Sequence, residues 1–201
     1  MTSIPARLAA VLAALVVALF LSSCNNAASD GQADDHPTDE PVITGEPAGF
    51  NSDDVAFATN MIPHHEQAVE MSALVGDRST NPELIELAKR ISAAQEPEIQ
   101  TMKVFLVQWK ENPETGSGHG GHGGTMAGMV DEATMTRLES LSGAEFDTLW
   151  LESMISHHQG AIEMAKAEIA NGENVDAKRM AQTIIDTQQA EIGQMNQMLG
   201  G

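Results

Sequence analysis

The chain contains one segment twice, and this repeat constrains the fold more than any other feature of the sequence. The stretch MIPHHEQAVEM at 61–71 returns as MISHHQGAIEM at 154–164, a shift of 93 positions. The same shift, without a gap, aligns QEPEIQTM at 95–102 with QQAEIGQM at 188–195. A single register over both segments predicts a duplicated unit of two helices joined by a turn.

The spacing of apolar residues predicts that each copy is a helical hairpin. Helical patterns cover 51–75, 82–110, 142–171 and 175–199, with a short helix at 131–140. Gly76 is the predicted stop of the first helix, and Ser142 followed by Glu145 predicts a capping box for the third long one. Two hairpins that each carry an apolar face bury it best against each other. The fold predicted for 50–199 is therefore all-α, an antiparallel four-helix bundle built from hairpin 1 (51–110) and hairpin 2 (142–199).

The N-terminal 49 residues are predicted to lie outside this bundle. Arg7 is followed by an apolar run at 8–21 that is too short to span a bilayer comfortably, which predicts a signal peptide over 1–23. The sequence LSSC that ends at Cys24 resembles the lipobox of bacterial lipoproteins, whose processing implies cleavage before Cys24 and its lipidation. Residues 24–49 are acidic, rich in proline and poor in apolar side chains, which predicts a disordered tether.

These N-terminal features predict where the protein works. We expect an extracytoplasmic lipoprotein, held to the membrane by a lipid on Cys24 at the bacterial cell surface or the periplasmic face. Without lipidation, we expect a secreted protein. Because Cys24 is the only cysteine of the chain, the bundle has neither a disulfide nor a thiolate ligand.

The charge of the chain excludes one class of partner. Removal of residues 1–23 takes away one of 10 basic residues and none of 29 acidic ones, which leaves a net charge of −20. Nucleic-acid binding needs a basic footprint, so nucleic acid is not an expected partner.

Paired histidines flanked by methionines predict a soft-metal site. At 100° per residue, most of these side chains fall on one inward-facing sector of each helix. Imidazole and thioether together suit copper, and thioethers favour Cu(I); no organic cofactor is expected. The predicted ligands are Met61, His64, His65 and Met71 in the first copy and Met154, His157, His158 and Met164 in the second. The sequence leaves open which histidine of each doublet binds and whether the copies form one shared site or two.

Polar side chains on the second and fourth long helices are predicted partners of the histidines. A metal-bound imidazole usually donates its second N–H to a carboxylate or an amide. Glu98 and Glu191 are the predicted carboxylates, with Gln95 and Gln188 as weaker candidates.

Additional candidate ligands lie on the same helices and in the glycine-rich loop at 112–129. Short histidine-rich tracts commonly bind metal, although a plain linker with incidental histidines explains the loop equally well. The additional candidates are Met102 and Met195 on the helices and His119, His122, Met126 and Met129 in the loop.

Three functions compete on these residues. The first is a non-catalytic copper protein that sequesters copper or passes it to a protein acceptor, alone or as a homo-oligomer. The second is a di-iron or di-manganese oxidase, which needs Glu-x-x-His on two helices, whereas Met61 and Met154 stand at the Glu positions. The third is a metal-free surface interaction module with a pH-sensitive histidine patch. No catalytic constellation is recognised, so we expect no enzymatic activity.

The doubled motif resembles the CopM-like family, long catalogued as a bacterial domain of unknown function. The resemblance rests on Met-Ile-x-His-His-x-x-Ala at 61–68 and 154–161, on Gln-x-x-Glu-Ile-x-x-Met at 95–102 and 188–195, and on the His/Gly/Met loop before the second copy. It covers about 50–199. It implies a ferritin-like four-helix bundle, an extracytoplasmic location and, as in the members with known function, copper binding and copper resistance.

Overall fold

Two helical hairpins form the core of the protein. The computed structural model describes residues 49–110 and 126–200. Within this part of the chain the helices are α1 (Ser52–Arg78), α2 (Pro82–Gln108), α3 (Glu132–Ser140), α4 (Gly143–Asn171) and α5 (Val175–Gly200). Helix α1 packs along α2, and α4 packs along α5. Contacts of α1 with α4 and of α2 with α5 join the hairpins. The predicted all-α, four-helix bundle is confirmed.

The start of α1 follows the sequence signals closely. Asn51 is the N-cap, and its side chain accepts hydrogen bonds from the backbone amides of Asp53 and Asp54. In return, Asp54 Oδ2 accepts from the backbone N–H of Asn51 at 2.6 Å, which completes a capping box. Helix α2 begins with Pro82 directly after its N-cap Asn81, the position where proline costs no hydrogen bond.

One predicted helix end and one predicted helix cap are wrong. Helix α1 continues through Gly76 to Arg78, because a Cβ-less residue inside a helix costs only about 1 kcal/mol. The N-cap Ser142 makes no side-chain capping hydrogen bond, so the predicted capping box does not form. Gly143, the next residue, has φ of 62°, and this left-handed conformation changes the path by which the chain enters α4.

Asp54 also ties hairpin 1 to the turn of hairpin 2. Its carboxylate accepts hydrogen bonds from the backbone N–H groups of Glu173 at 3.1 Å and Asn174 at 2.9 Å. Both donors lie in the turn between α4 and α5. The start of α1 is thereby fixed to the far hairpin, and this sets how the two histidine helices align.

The apolar residues form two clusters along the bundle. One includes Met61 and Met102, and the other includes Met71, Met154 and Met195. In the second cluster, Trp150 is fully buried and donates its indole N–H to the backbone oxygen of Met71 at 2.9 Å. This bond links α4 to α1 about two turns away from the histidine pair. In the described ranges, no helix is both long and apolar enough to cross a membrane.

Candidate metal centre

The histidine doublets meet where α1 packs against α4. His64 and His157 face each other with ring centroids 3.8 Å apart and ring planes at 40°. His158 is the next neighbour, with its ring centroid 6.3 Å from that of His157. All four doublet histidines are completely buried. The fold therefore brings both copies of the motif to one place.

The outer histidine of each doublet contacts a carboxylate on the neighbouring helix of its own hairpin. His65 Nε2 lies 2.9 Å from Glu98 Oε2, and His158 Nε2 lies 2.7 Å from Glu191 Oε2. The sequence predicts these two carboxylates as partners of the histidines, but it does not predict which histidine of each doublet they contact. Since an ionised carboxylate only accepts hydrogen bonds, each Nε2 carries the proton. In the neutral imidazole, the lone pair then belongs to Nδ1.

The four histidines share an unusual feature at Nδ1. Buried side-chain nitrogens normally have hydrogen-bond partners, yet Nδ1 of His64, His65, His157 and His158 has none. His157 Nε2 also lacks a partner. Five buried ring nitrogens without partners are costly for a protein. A ligand that accepts nitrogen lone pairs would remove this cost.

Burial holds the central histidines in the neutral form. The pKa of His64 is lowered to about 4, first by burial and then by neighbouring His65 and His158, while the Ala127 carbonyl opposes the shift. The pKa of His157 is lowered to about 2 by burial and by His64, His158 and His65, with a weak opposing effect from the backbone of His64. At neutral pH both rings are therefore uncharged, and each has one N–H and one lone pair that it can donate to a metal.

The candidate thioethers flank the histidines in two groups. Each group draws methionines from both hairpins, because α1 and α4 run in opposite directions past the histidine pair. Met61 and Met102 belong to the first cluster, with half-buried Met164 against it. Met154, Met195 and Met71 belong to the second. Under the repeat, each member of one group corresponds to a member of the other.

A short segment after the glycine-rich loop covers the inner histidine of α1. Residues 126–130, which we call the strap, include a turn in which Met129 N–H donates to the oxygen of Met126 at 3.1 Å. The carbonyl oxygen of Ala127 lies 3.2 Å from His64 Nε2. Met126 and Met129 are half-buried, so the structure places these two loop candidates on the strap beside the histidines' helices.

The strap is held by residues that the sequence reasoning missed. The Gln67 side chain donates to the oxygen of Val130 and accepts from its N–H, both at 2.8 Å. On the other side, a Cβ at Gly160 would lie only 1.9 Å from the oxygen of Ala127. The signal was present in the repeat, since Gln67 and Gly160 occupy equivalent positions at which the two copies differ.

Other predicted site residues stand apart from these contacts. Gln95 and Gln188 are buried. Neither the amide nitrogen nor the amide oxygen of the Gln95 side chain has a hydrogen-bond partner, and the amide oxygen of Gln188 has none either. Their role as partners of the histidines stays a prediction. Cys24, His119 and His122 lie outside the described residues.

The arrangement suits a soft metal better than a hard one. In the described part of the chain, no three histidine, cysteine or carboxylate side chains are grouped so as to hold a metal ion. A site here would combine imidazole nitrogens with the buried thioethers beside them. That donor set is the one that copper accepts and that iron or manganese carboxylate centres do not use.

Comparisons with known proteins identify relatives across the whole bundle. The profile of the domain of unknown function DUF305 matches residues 54–199. A DUF305 fragment from Deinococcus radiodurans is 30% identical, with a TM-score of 0.66, over 77% of this chain and 98% of that one. A candidate secreted DUF305 protein from Streptomyces coelicolor is 34% identical, with a TM-score of 0.64, over 74% of this chain and 93% of that one.

A third similar structure is CopM in its Cu(II)-bound form. It is 34% identical to this chain, with a TM-score of 0.63, over 72% of this chain and 94% of that one. CopM has also been solved in Cu(I)-bound, Ag-bound and apo forms. Among curated proteins, no match to the chain is found.

Proposed function

Because the chain belongs to the DUF305 family, and because four buried histidines meet beside buried methionines, we propose that it is an extracytoplasmic copper-binding protein. Its role is to sequester copper, or to pass it to a protein acceptor, for copper tolerance. The single observation that carries the proposal is the set of four buried Nδ1 atoms without partners. Copper that binds at these atoms offsets the cost of burying them.

Ligand chemistry supports copper, and Cu(I) in particular. Imidazole accepts both oxidation states, whereas thioether favours Cu(I). The similar protein CopM has been solved with Cu(I), Cu(II) and Ag bound. Ag(I) is a soft ion with the ligand preferences of Cu(I), so its binding by a relative agrees with a site built from thioethers and imidazoles.

We further propose that the two motif copies build one shared centre. The His64 and His157 rings lie within 3.8 Å of each other, which is too close for two independent sites that each use one of them. The ligands proposed for this centre are His64 and His157, with thioethers from the flanking groups. His65 and His158 remain candidate ligands through Nδ1 outside this pair, with Glu98 and Glu191 orienting them, because no three histidines of the described residues are grouped to hold one ion.

The proposed location follows from the N-terminal sequence. The lipobox-like LSSC before the acidic tether supports a lipid anchor at Cys24, and the similar Streptomyces coelicolor protein is a candidate secreted protein. A protein outside the cytoplasm can intercept copper before the metal enters the cell. Radiolabelled palmitate incorporation that is lost in Cys24→Ala tests the anchor.

An anaerobic competition titration tests copper binding. The purified protein competes for Cu(I) with a coloured chelator, alongside a variant with Met61→Leu, His64→Ala and His65→Ala and the same changes at Met154, His157 and His158. We expect the affinity of this variant to fall at least about a hundredfold, since each lost ligand or its support costs about ten- to a hundredfold. Wild-type affinity in the variant contradicts the proposal.

A matched control separates ligation from packing. Met180 and Met198 are half-buried, and each packs against one of the two clusters. The double variant Met180→Leu/Met198→Leu removes two thioethers outside the motifs and is expected to keep wild-type affinity. A circular dichroism spectrum with full helix content excludes unfolding as the cause of any loss.

A further inference from the structure

We infer that the strap is a positioning element that commits His64 to bind metal through Nδ1, and that Gln67 is the residue that holds the strap in place. The inference rests on the proposed function for the identity of the metal. It goes further in assigning a nitrogen, a direction of hydrogen bonding and a supporting residue to one ligand of the centre.

The hydrogen bond between His64 and Ala127 fixes which nitrogen of the imidazole carries the proton. A backbone carbonyl oxygen accepts hydrogen bonds and cannot donate one. His64 Nε2, which lies 3.2 Å from this oxygen, therefore carries the proton. A neutral imidazole has one N–H and one lone pair, so the lone pair of His64 is on Nδ1, which is buried and has no partner. The strap thus selects the tautomer that a metal at Nδ1 requires.

The Gln67 side chain holds the strap through its backbone. The two hydrogen bonds between the Gln67 side chain and the Val130 backbone, both 2.8 Å long, use the amide as donor and acceptor together. An amide side chain can form this pair, and a carboxylate or an alkyl group cannot. Gln67 lies three residues after His64 on α1, so the residue that fastens the strap and the histidine under it share one helix face.

The strap also packs closely against the backbone of α4. Gly160 lets the Ala127 carbonyl pass within 1.9 Å of the position that a Cβ would occupy. Gly128 has φ of 82°, and a Cβ there would lie 2.7 Å from the oxygen of Ser156. Two glycines at one contact allow the backbone of the strap to approach the helix closely. The fit leaves no room for the strap to shift toward α4.

The second copy of the motif lacks the hydrogen bonds that the strap makes with the first. Gln67 of the first copy corresponds to Gly160 of the second, so one position fastens the strap and the other admits it. His157, the counterpart of His64, has no hydrogen-bond partner of good geometry at either ring nitrogen. The strap therefore fixes the tautomer of His64 alone, and His157 is left to be oriented by the metal.

Histidine side-chain NMR on the metal-free protein tests the tautomer directly. Long-range ¹⁵N–¹H spectra at pH 7 distinguish an Nε2–H imidazole from an Nδ1–H one. We expect wild-type His64 to be Nε2–H, and we expect Gln67→Ala to produce a mixture of tautomers at His64 while His65 and His158 keep their wild-type signals. Gly160→Ala, which pushes the strap from the opposite side, is expected to give the same signature at His64.

Cu(I) affinity is measured on the same variants by anaerobic chelator competition. We expect Gln67→Ala to weaken binding about tenfold, the lower end of the effect of losing a group that orients a ligand. Gln159→Ala is the matched control, because Gln159 is exposed on α4 next to Gly160 and is expected to change neither readout.

The outcomes separate the inference from the proposed function. Wild-type protein that binds no Cu(I) overturns the proposed function and the metal-binding part of the inference with it. Wild-type protein that binds Cu(I), with His64 as the Nδ1–H tautomer, overturns the inference alone. Unchanged His64 signals and unchanged affinity in both Gln67→Ala and Gly160→Ala also overturn it.

Discussion

The two copies of the motif offer a metal the same side chains in different surroundings. In the first copy, His64 lies against the Ala127 carbonyl of the strap. In the second, His157 is equally buried and has no partner at either ring nitrogen. The pKa of each ring is lowered chiefly by burial, to about 4 for His64 and about 2 for His157. Duplication thus preserved the candidate ligands, while a single strap made the surroundings of the two copies unequal.

The outer histidines show the opposite behaviour, because there the copies agree. Glu98 and Glu191 contact His65 and His158 at 2.9 and 2.7 Å, and both carboxylates are mostly buried. The surroundings of His65 and His158 are the same in both copies, whereas those of His64 and His157 differ. This difference indicates which contacts the repeated two-helix unit itself supplies. The carboxylates come from the unit, whereas the strap comes from the connection between units.

The largest effect on Cu(I) affinity is predicted at the histidine–carboxylate contacts, where the two copies agree. Glu98→Gln and Glu191→Gln each remove the charge that orients an imidazole, and each is expected to weaken Cu(I) binding about ten- to a hundredfold. Because the two pairs have nearly the same geometry, the losses should be similar. Anaerobic chelator competition measures them, with exposed Glu163→Gln as the control. A loss in only one copy would show that the pairs are not equivalent.

A second prediction concerns a buried position at which the two copies carry different residues. Glu168 is buried in hairpin 2, and its equivalent in hairpin 1 is Val75. Burial, followed by the nearby Asp54 side chain, raises the pKa of Glu168 from 4.5 to about 8. The folded state therefore favours the neutral carboxyl. The stability that Glu168 contributes to the folded state is fully present below about pH 4.5, and it is lost as the pH rises through about 8.

Urea unfolding at several pH values measures this loss. We expect the free energy of unfolding to fall by at least about 2 kcal/mol between pH 5 and pH 9 because of Glu168. Each unit by which its pKa is raised in the folded state corresponds to about 1.4 kcal/mol. Glu168→Gln should remove that slope, while Glu163→Gln, exposed on the same helix, should keep it. The same slope in both variants would contradict the assignment to Glu168.

The smallest predicted effect addresses the inner histidines without metal. His157→Leu removes two buried nitrogens that lack partners, so it should stabilise the metal-free protein by about 1 kcal/mol. His64→Leu also removes a buried nitrogen without a partner, but it leaves the Ala127 carbonyl without its donor, so its gain should be smaller. Urea unfolding with a copper chelator present compares the two. Equal gains would indicate that the strap bond contributes nothing to stability.

Much of this architecture is predictable from the sequence because the repeat and the helical spacing are local signals. Asn51 and Pro82 mark helix starts by chemistry that acts within one turn. The apolar residues whose spacing predicts the second long helix, such as Ile91, Ile99 and Leu106, are buried in α2. The repeat also predicts Glu98 and Glu191 as carboxylates near the histidines, whereas their pairing with His65 and His158 is visible only in the structure.

The strap was not predictable in the same way. Its contacts join residues 63 positions apart, from Gln67 to Val130 and from His64 to Ala127. No periodic pattern encodes such a contact, because it depends on how a connecting segment crosses the packed hairpins. The end of α1 and the cap of α4 were also predicted wrongly, since Gly76 is tolerated inside a helix and Gly143, after the N-cap Ser142, takes a left-handed conformation.

The central claim is that copper joins the two copies at the His64–His157 pair. The most direct measurement is an anaerobic Cu(I) competition titration of the wild-type protein, His64→Leu, His157→Leu and the double variant. One shared centre predicts that each single change abolishes the same high-affinity site and that the double change adds little, since residues of one unit are not additive. A single variant that keeps a site of wild-type affinity, with the double variant losing it, would contradict a shared centre and indicate two separate sites.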